Sequence, residues 1–354
     1  MGKTHAWLLY GANGYSGQLI AKEAVRRGMP PTLAGRREGA IRPLAERLGL
    51  PCRVFALDPS APERMAGELE PFEGMLLAAG PFSATSAPMV EACLQTGTHY
   101  LDITGEIAVL EGLYRRNVEA QQRGCVLLPG VGFDVVPSDC LAVTLKALLP
   151  DATSLELAWA GHSSPTRGTA TSMLEGLALG GAMRQGGHLC RVPTAWRIRK
   201  VPFRDRTRTA VSLPWGDVSS AYYSTGIPSI VVYAALPASA ILALRVMRPL
   251  VPLLRLKSLH GWLRASIVRH ITGPDEQTRR SGRSQLWGRV TDAAGQERSA
   301  TLETPEAYQL TAITAVECMR RVLAGKVAPG AQTPATAFGA DFITSIAGCD
   351  LLTS

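Results

Sequence analysis

The chain has 354 residues, and its 37 Lys and Arg outnumber its 29 Asp and Glu, which gives a net charge of +8 at neutral pH. Hydrophobic residues make up 46% and charged residues 19%, a composition that supplies packed cores and excludes a disordered chain. The length exceeds that of one ordinary core and predicts two domains.

The first 135 residues alternate between predicted strands and predicted helices. The strands are expected at 6–12, 32–35, 53–57, 75–79, 100–103 and 126–128. The helices between them are expected at 15–28, 38–48, 63–69, 87–96 and 108–123. This order predicts an α/β domain of the Rossmann type, a doubly wound parallel sheet with helices on both faces. Ligands bind such sheets at the carboxyl ends of the strands.

After about Pro137 the alternation fails, and we expect a second domain of the α+β class over residues 136–329. Its clearest predicted elements are a helix at 139–149, a strand at 154–160, a hairpin formed by 285–292 and 298–304, and a helix at 305–324. We expect this domain to bind the substrate and to form the contacts of a homo-oligomer, in the simplest case a dimer.

A glycine-rich turn follows the first strand at residues 11–17, Gly-Ala-Asn-Gly-Tyr-Ser-Gly, and a helix begins within it. Its glycines allow a tight turn, close approach of the backbone to a diphosphate, and close packing of helix on strand. The N–H groups and the positive dipole end of the helix then bind the phosphates. The predicted contacts in this turn are Gly11, Asn13, Gly14, Tyr15, Ser16 and Gly17.

The end of the second strand determines which dinucleotide is expected. Sites for NAD usually place Asp or Glu there, whereas this chain has Gly35-Arg36-Arg37 and no acid. A guanidinium group can bind the 2′-phosphate of NADP through two hydrogen bonds, and an acid would repel it. We therefore predict NADP(H), with Arg36 as the main contact, Arg37 as the second, and Asp58 at the end of the third strand. The alternative is two solvated arginines at the start of a helix.

Several further motifs resemble those of saccharopine dehydrogenase-like oxidoreductases, and most of all the bacterial branch that contains trans-acting enoyl reductases. The motifs are Gly80-Pro81-Phe82, Tyr-Leu-Asp-Ile-Thr-Gly-Glu at 100–106, Gly-Phe-Asp-Val-Val-Pro-Ser-Asp at 132–139, Gly226-Ile227-Pro228, Ser-Gln-Leu-Trp-Gly at 284–288 and Thr333-Pro334-Ala335. The resemblance implies a nicotinamide cofactor that passes near Ala79, Gly80 and Pro81. It also implies that residues 330–354 return to complete the first domain, with a helix at 335–346.

A reductase of this kind needs a group that supplies a proton, because the cofactor itself carries the hydride. The candidates are Asp102, Glu106 and Asp134, which follow predicted strands, and Tyr222 in the second domain. Each also has a structural interpretation: Glu106 could interact with a helix dipole, Asp134 could stabilise a turn, and Tyr222 could pack in a core.

Positive charge is concentrated in the second part of the chain. Residues 1–150 contain 14 basic and 15 acidic residues, whereas residues 151–354 contain 23 and 14. This favours an anionic partner, such as a phosphate-bearing cofactor or carrier, or an anionic membrane surface. Nucleic acid is not expected, since no motif for binding it occurs.

The segment 226–270 combines apolar stretches with arginines. Its prolines and arginines exclude a membrane-spanning helix. The segment suits an interfacial helix on an anionic membrane or the wall of a channel for an apolar substrate. The alternatives are a dimer interface and a core helix with arginines at its rim.

The cysteines and histidines predict no metal. The seven cysteines are odd in number and include no Cys-x-x-Cys pair, and the six histidines lack metal-type spacing. We expect free thiols in a reducing compartment. The apolar run from Ala6 is too short for a signal-peptide core, so the cytoplasm is the expected location, with peripheral attachment to a membrane as a further expectation.

The activity expected from these features is NADPH-dependent reduction of a C=C or C=N bond in an apolar substrate, lipid- or polyketide-like, either free or bound to a carrier. Two alternatives stay open. One is a saccharopine-type C–N reductase that acts on an amino acid, and the other is a membrane-associated protein that binds a dinucleotide without catalysis.

Overall fold

The computed structural model describes residues 6–161, 164–255 and 257–353, which form two compact units. The first unit contains the chain up to Val136 and returns with Tyr308–Phe338. The second unit contains Pro137–Ala307 and the chain from Gly339 onward.

The strands in chain order are β1 (Trp7–Tyr10), β2 (Thr32–Gly35), β3 (Cys52–Val54), β4 (Gly74–Leu77), β5 (His99–Asp102), β6 (Val126–Leu128), β7 (Ala152–Ala160), β8 (Gly181–Gln185), β9 (His188–Val192), β10 (Ile198–Pro202), β11 (Thr207–Ser212), β12 (Ser229–Ala235), β13 (Arg283–Asp292), β14 (Glu297–Pro305), β15 (Gly330–Ala331) and β16 (Asp350–Thr353).

The α-helices in chain order are α1 (Tyr15–Arg26), α2 (Glu38–Leu48), α3 (Pro62–Leu69), α4 (Phe82–Thr96), α5 (Ile107–Tyr114), α6 (Asn117–Gln122), α7 (Val136–Leu148), α8 (Arg167–Leu179), α9 (Asp217–Thr225), α10 (Ala238–Val246), α11 (Lys257–His270), α12 (Glu276–Ser281), α13 (Ala307–Leu323) and α14 (Pro334–Phe338). Two 3₁₀ helices lie at Arg248–Arg255 and Ala340–Phe342.

The first unit is built on a parallel sheet with the strand order β15-β6-β5-β4-β1-β2-β3. The central strands β1 and β4 are buried along their whole length, as expected when helices cover both faces of a sheet. The predicted Rossmann-type fold is confirmed, and the carboxyl ends of β1, β2, β4, β5 and β6 lie along one edge.

The second unit is built on a mixed sheet with the order β10-β11-β12-β7-β13-β14-β16, and β8 joins it by pairing with β12 and β9. β7 and β12 run parallel, and the other neighbours in this order are antiparallel. The α+β class predicted for this unit is confirmed. No helix among the described residues combines the length and the apolar character needed to cross a membrane.

The end of the chain divides between the units differently from the expectation. Residues 330–338 complete the first unit, and β15 pairs with β6 there, but the chain from Gly339 belongs to the second unit, where β16 pairs with β14. Residues 308–329, expected in the second domain, lie in the first. The helix expected at 335–346 is wrong, because α14 stops at Phe338 and Gly339 adopts a φ of +85°.

Candidate cofactor site

The turn between β1 and α1 requires glycine at two positions because backbone atoms crowd it. Gly11 adopts a φ of +85°, and a Cβ there would lie 2.7 Å from the backbone nitrogen of Ala79. A Cβ on Gly17 would lie 2.4 Å from the carbonyl oxygen of Gly11, so α1 could not pack this closely on the turn. These contacts agree with the roles predicted for the two glycines.

The N-terminus of α1 has the features of a phosphate site. Gly14 is the N-cap residue, no side chain caps this end, and no acid lies in the first turn. The amide of Gly14 donates to the carbonyl of Gly11 at 3.0 Å, and the side-chain amide of Gln18 donates to the carbonyl of Asn13 at 3.1 Å, which shapes the turn. A helix end that lacks its own anionic cap fits a bound diphosphate.

The end of β2 lies beside this turn. A Cβ on Gly35 would lie 2.8 Å from Cδ1 of Ile41 and 3.4 Å, an ordinary contact distance, from Oδ1 of the predicted cofactor contact Asn13. Arg36 and Arg37 follow Gly35, and both are exposed. The first acid after them, Glu38, forms an ion pair with Arg42. The edge therefore presents two guanidinium groups, which fits the 2′-phosphate of NADP.

The other four predicted cofactor contacts lie in the segments that follow β3 and β4. Asp58 is exposed and accepts hydrogen bonds from the amide and hydroxyl of Ser60 at 2.9 and 2.6 Å, which lower the pKa of its carboxyl. These bonds give Asp58 a role in the turn before α3. Ala79, Gly80 and Pro81 join β4 to α4, and the hydroxyl of Thr85 donates to the carbonyls of Ala79 and Pro81. Ala79 lies against the Gly11 turn.

Asp102 ends β5 and is fully buried. Its carboxylate accepts hydrogen bonds from the amides of Thr104 at 3.0 Å and Gly130 at 2.9 Å, and from the hydroxyl of Tyr100 at 2.7 Å. Burial raises the pKa of Asp102 to about 6, although these three donors act in the opposite direction. The carboxylate thereby connects the loop after β5 to the loop after β6, which is a positioning role.

Glu106 connects two elements in a similar way. Its two carboxylate oxygens accept hydrogen bonds from the amides of Phe82 at 2.9 Å and Ser83 at 2.8 Å, in the first turn of α4. Its own amide donates to the hydroxyl of Thr104 at 3.0 Å. Glu106 thus caps α4, a helix that begins 24 residues earlier in the chain. It is also the N-cap residue of α5.

Asp134 lies in the loop after β6, beside the loop that follows β5. A Cβ on Gly105 would lie 2.9 Å from Oδ2 of Asp134, so the carboxyl packs directly on this glycine. Burial raises the pKa of Asp134 to about 7, which keeps a large fraction of the carboxyl protonated near neutral pH. A pKa near 7 suits a proton donor at neutral pH.

The loop around Asp134 is attached to α13, a helix far away in the sequence. The amide of Phe133 donates to the hydroxyl of Thr311 at 3.0 Å, and the hydroxyl of Thr314 donates to the carbonyl of Val131 at 2.8 Å. Sequence reasoning missed these two threonines, because no local pattern relates them to a loop about 180 residues earlier.

Tyr222 lies on α9 of the second unit. The guanidinium of Arg184 stands 4.2 Å from the centre of its ring, and the ring of Tyr223 meets it edge-on at 5.7 Å. Asp102 and Glu106 thus bound the loop 102–106 of the first unit, and Asp134 packs against it. Tyr222 instead has packing contacts in the second unit.

Comparison with known proteins finds relatives of the first unit. Residues 7–127 match the family model described as the saccharopine dehydrogenase NADP binding domain. The chain is 33% identical over 141 residues to a trans-acting enoyl reductase from Mycobacterium leprae, and 32% identical over 140 residues to one from Mycobacterium tuberculosis. Each match covers 37% of this chain, which spans only 33% of the length of either relative.

A solved structure extends the likeness to the fold of the whole chain. Apo saccharopine dehydrogenase (L-Glu forming) from Saccharomyces cerevisiae matches with a TM-score of 0.65 over 99% of this chain and 100% of that one, at 11% identity. At this identity the match shows the fold alone. Residues 7–127 of the first unit are therefore similar to the saccharopine dehydrogenase NADP binding domain, and NADP(H) is the cofactor that this match supports.

Proposed function

We propose that this chain is an NADPH-dependent oxidoreductase that reduces a C=C or C=N bond in an apolar, lipid- or polyketide-like substrate. The observation that carries the proposal is the uncapped helix after the Gly11–Gly17 turn, next to two exposed arginines, in a domain of the NADP-binding family. The relatives named enoyl reductases support a C=C bond as the group reduced.

The chemistry divides between the cofactor and the protein. NADPH, which the Gly11–Gly17 turn and Arg36 would hold, would supply a hydride to one atom of the double bond, and the other atom would then need a proton. We assign that proton to Asp134, which packs on Gly105 at the carboxyl edge of the sheet and whose pKa is about 7. A donor with a pKa near the working pH is the most effective in proton transfer.

Asp102 and Glu106 act in this proposal as positioning residues. Their oxygens accept hydrogen bonds from backbone amides of neighbouring loops and of α4, which fixes the backbone beside Asp134. Tyr222 stays a prediction as a second proton donor. Delivery of the substrate on a carrier, the homo-oligomeric state and the cytoplasmic location also stay predictions.

The decisive experiment follows deuterium from the cofactor. NADPH labelled at C4 of the nicotinamide is incubated with 2-enoyl thioesters of increasing chain length and, separately, with imines formed from an amino acid and an aldehyde. We expect mass spectrometry to find one deuterium in the saturated thioester, with rates that increase with chain length.

The other outcomes decide between the alternatives. Deuterium in the secondary amine, and none in the thioester, would establish the saccharopine-type C–N reductase. Saturable NADPH binding with no transfer to any acceptor would leave a dinucleotide-binding protein without catalysis and overturn the proposal.

A further inference from the structure

The second unit presents large apolar side chains to solvent in one stretch of chain, formed by α10, the 3₁₀ helix Arg248–Arg255 and α11. We call this stretch the apolar–basic segment; it lies within the predicted segment 226–270, of which residue 256 is outside the described residues. Its exposed large apolar side chains are Leu242, Val246, Met247, Leu253 and Trp262. Exposed apolar residues grouped in this way indicate an interaction surface.

One side of α10 is attached firmly to the second unit. Ile241 is buried in a cluster with Ala195 and Val211, and Leu244 packs against the same cluster. Leu242 and Val246 lie four residues apart on the other side of the helix, where they are 63% and 66% exposed. The exposed face therefore belongs to a helix whose opposite face is already packed.

The 3₁₀ helix and α11 are also attached to the rest of the second unit. Nε of Arg248 donates to the carbonyl of Thr194 at 2.5 Å, and Nε of Arg167 donates at 2.8 Å to the carbonyl of Ile271, just after α11. Along α11, residues at three- and four-residue spacing form one exposed face. These residues are Ser258, Trp262, Ala265 and Arg269.

Trp262 is central to this face and is 68% exposed. Tryptophan costs free energy when its ring is left in water, and it is enriched at the interface between water and lipid, where an apolar ring and a polar N–H both find partners. A tryptophan flanked by a basic side chain on one helical face is typical of helices that lie in a membrane surface.

The charge of the apolar–basic segment indicates which kind of partner binds it. Residues 218–274 contain six Lys and Arg and no Asp or Glu, and the exposed side chains include Arg245, Arg264 and Arg269. A second copy of the chain would bring the same positive charge to the interface. Nucleic acid would leave Leu242, Val246 and Trp262 without apolar partners. An anionic bilayer offers both negative headgroups and an apolar interior.

We propose that the apolar–basic segment docks this protein on the surface of an anionic phospholipid bilayer. Leu242, Val246 and Trp262 enter the boundary between headgroups and acyl chains, and Arg245 and Arg269 bind the headgroup phosphates. This goes beyond the proposed reductase activity and does not depend on it, although it would place the enzyme where apolar substrates accumulate.

The test is co-sedimentation of the full chain with vesicles. We expect binding to vesicles of phosphatidylcholine with phosphatidylglycerol, little binding to pure phosphatidylcholine, and release by high salt because salt screens headgroup attraction. Replacement of Arg245 or Arg269 by Gln should weaken binding about fivefold each. The double variant L242D/V246D should weaken it by at least about tenfold.

Val118→Asp is the matched control, because Val118 is as exposed as Leu242, at 63%, but lies on α6 in the first unit. Circular dichroism and thermal unfolding measured on every variant show that each has folded. The fluorescence of Trp262 is the part of the emission that Trp262→Phe lacks. Brominated lipids should quench this part, which reports insertion of Trp262 into the bilayer directly.

Two results would overturn the proposal. The first is failure of the wild-type chain to sediment with anionic vesicles at low salt. The second is equal vesicle binding by L242D/V246D and V118D, together with light scattering in which only L242D/V246D is monomeric. This pair of results would identify the face as an interface between two copies of the chain.

Discussion

The hydroxyl of Tyr100 donates a 2.7 Å hydrogen bond to the carboxylate of Asp102, two residues further along β5 and on the same face of the sheet. Both side chains are fully buried. The pKa of Asp102 is raised to about 6 by burial, so at higher pH a buried anion depends on this hydroxyl and on the amides of Thr104 and Gly130. The pair therefore couples the stability of the cofactor edge to pH.

Tyr100→Phe should destabilise the protein more at pH 8 than at pH 5. The folded pKa of Asp102 lies above the value of about 3.9 for an unfolded aspartate, so this group's contribution to stability decreases as pH rises from about 4 to about 6. Loss of the hydrogen bond from Tyr100 raises the pKa of Asp102 in the folded protein further. The decrease in stability then continues to a higher pH. We expect a loss of about 1.5–3 kcal/mol at pH 8, measured by urea unfolding.

Tyr10→Phe is the control for this measurement. The hydroxyl of Tyr10 donates to the neutral carbonyl of Phe55 at 3.0 Å, so its loss should cost about 1 kcal/mol at both pH values. Equal losses for Tyr100→Phe at pH 5 and pH 8 would show that the charge on Asp102 does not matter to the fold.

Gly17→Ala should abolish NADPH binding and lower stability by several kcal/mol. The new Cβ would lie 2.4 Å from the carbonyl oxygen of Gly11 and 2.8 Å from Cα of Ala12, so backbone would have to move. Gly67→Ala on α3 meets nothing within 4 Å and should stabilise by about 0.5–1 kcal/mol. Titration calorimetry and thermal unfolding check both, and unchanged NADPH binding by Gly17→Ala would refute the proposed packing.

Arg36→Ala should raise the dissociation constant of NADPH about 10- to 100-fold and leave that of NADH almost unchanged, because only NADPH has the 2′-phosphate. Arg47→Ala is the matched control: Arg47 is an exposed arginine near the other end of α2. Calorimetry with both nucleotides makes the comparison. An equal effect of the two substitutions on the dissociation constant would show that Arg36 does not contact the cofactor.

Asp134→Asn should lower kcat about 10²- to 10⁴-fold without changing NADPH affinity. The acid must be protonated to donate, so the wild-type rate should be constant below pH 7 and fall above it, in keeping with the pKa of about 7. The variant should lose this decline. Asp275→Asn replaces an exposed acid that caps α12 in the second unit, and it should keep both the rate and the pH profile of the wild type.

Sequence patterns located the elements of the first unit well, because apolar runs bounded by glycine and proline mark its strands. The bounds of β2, α2 and β6 are as predicted. The helix expected at 108–123 is divided into α5 and α6, since the chain leaves helical geometry at Arg116. α4 begins at Phe82 instead of residue 87, since Glu106 satisfies the first amides of that helix from a distant loop.

The candidate site was predictable only where neighbouring residues define it. The Gly11–Gly17 turn and the Arg36–Arg37 pair depend on local spacing, and both are visible in the sequence. The partners of Asp102 and Glu106 are not, because Gly130 and Phe82 lie 28 and 24 residues away and meet these acids only when the sheet forms. Hydrogen bonds of this kind give Asp102 and Glu106 their positioning roles.

The chain passes between its two units three times, after Val136, after Ala307 and after Phe338, and each sheet receives its last strand late. The strand β15 closes the first sheet beside β6, and β16 closes the second beside β14. During synthesis on the ribosome, β6 and β14 must therefore wait as uncovered edges until these late residues emerge. An edge strand with unpaired N–H and C=O groups invites pairing with other chains, so slow translation of the codons for residues 330–353 should favour aggregation of the nascent protein.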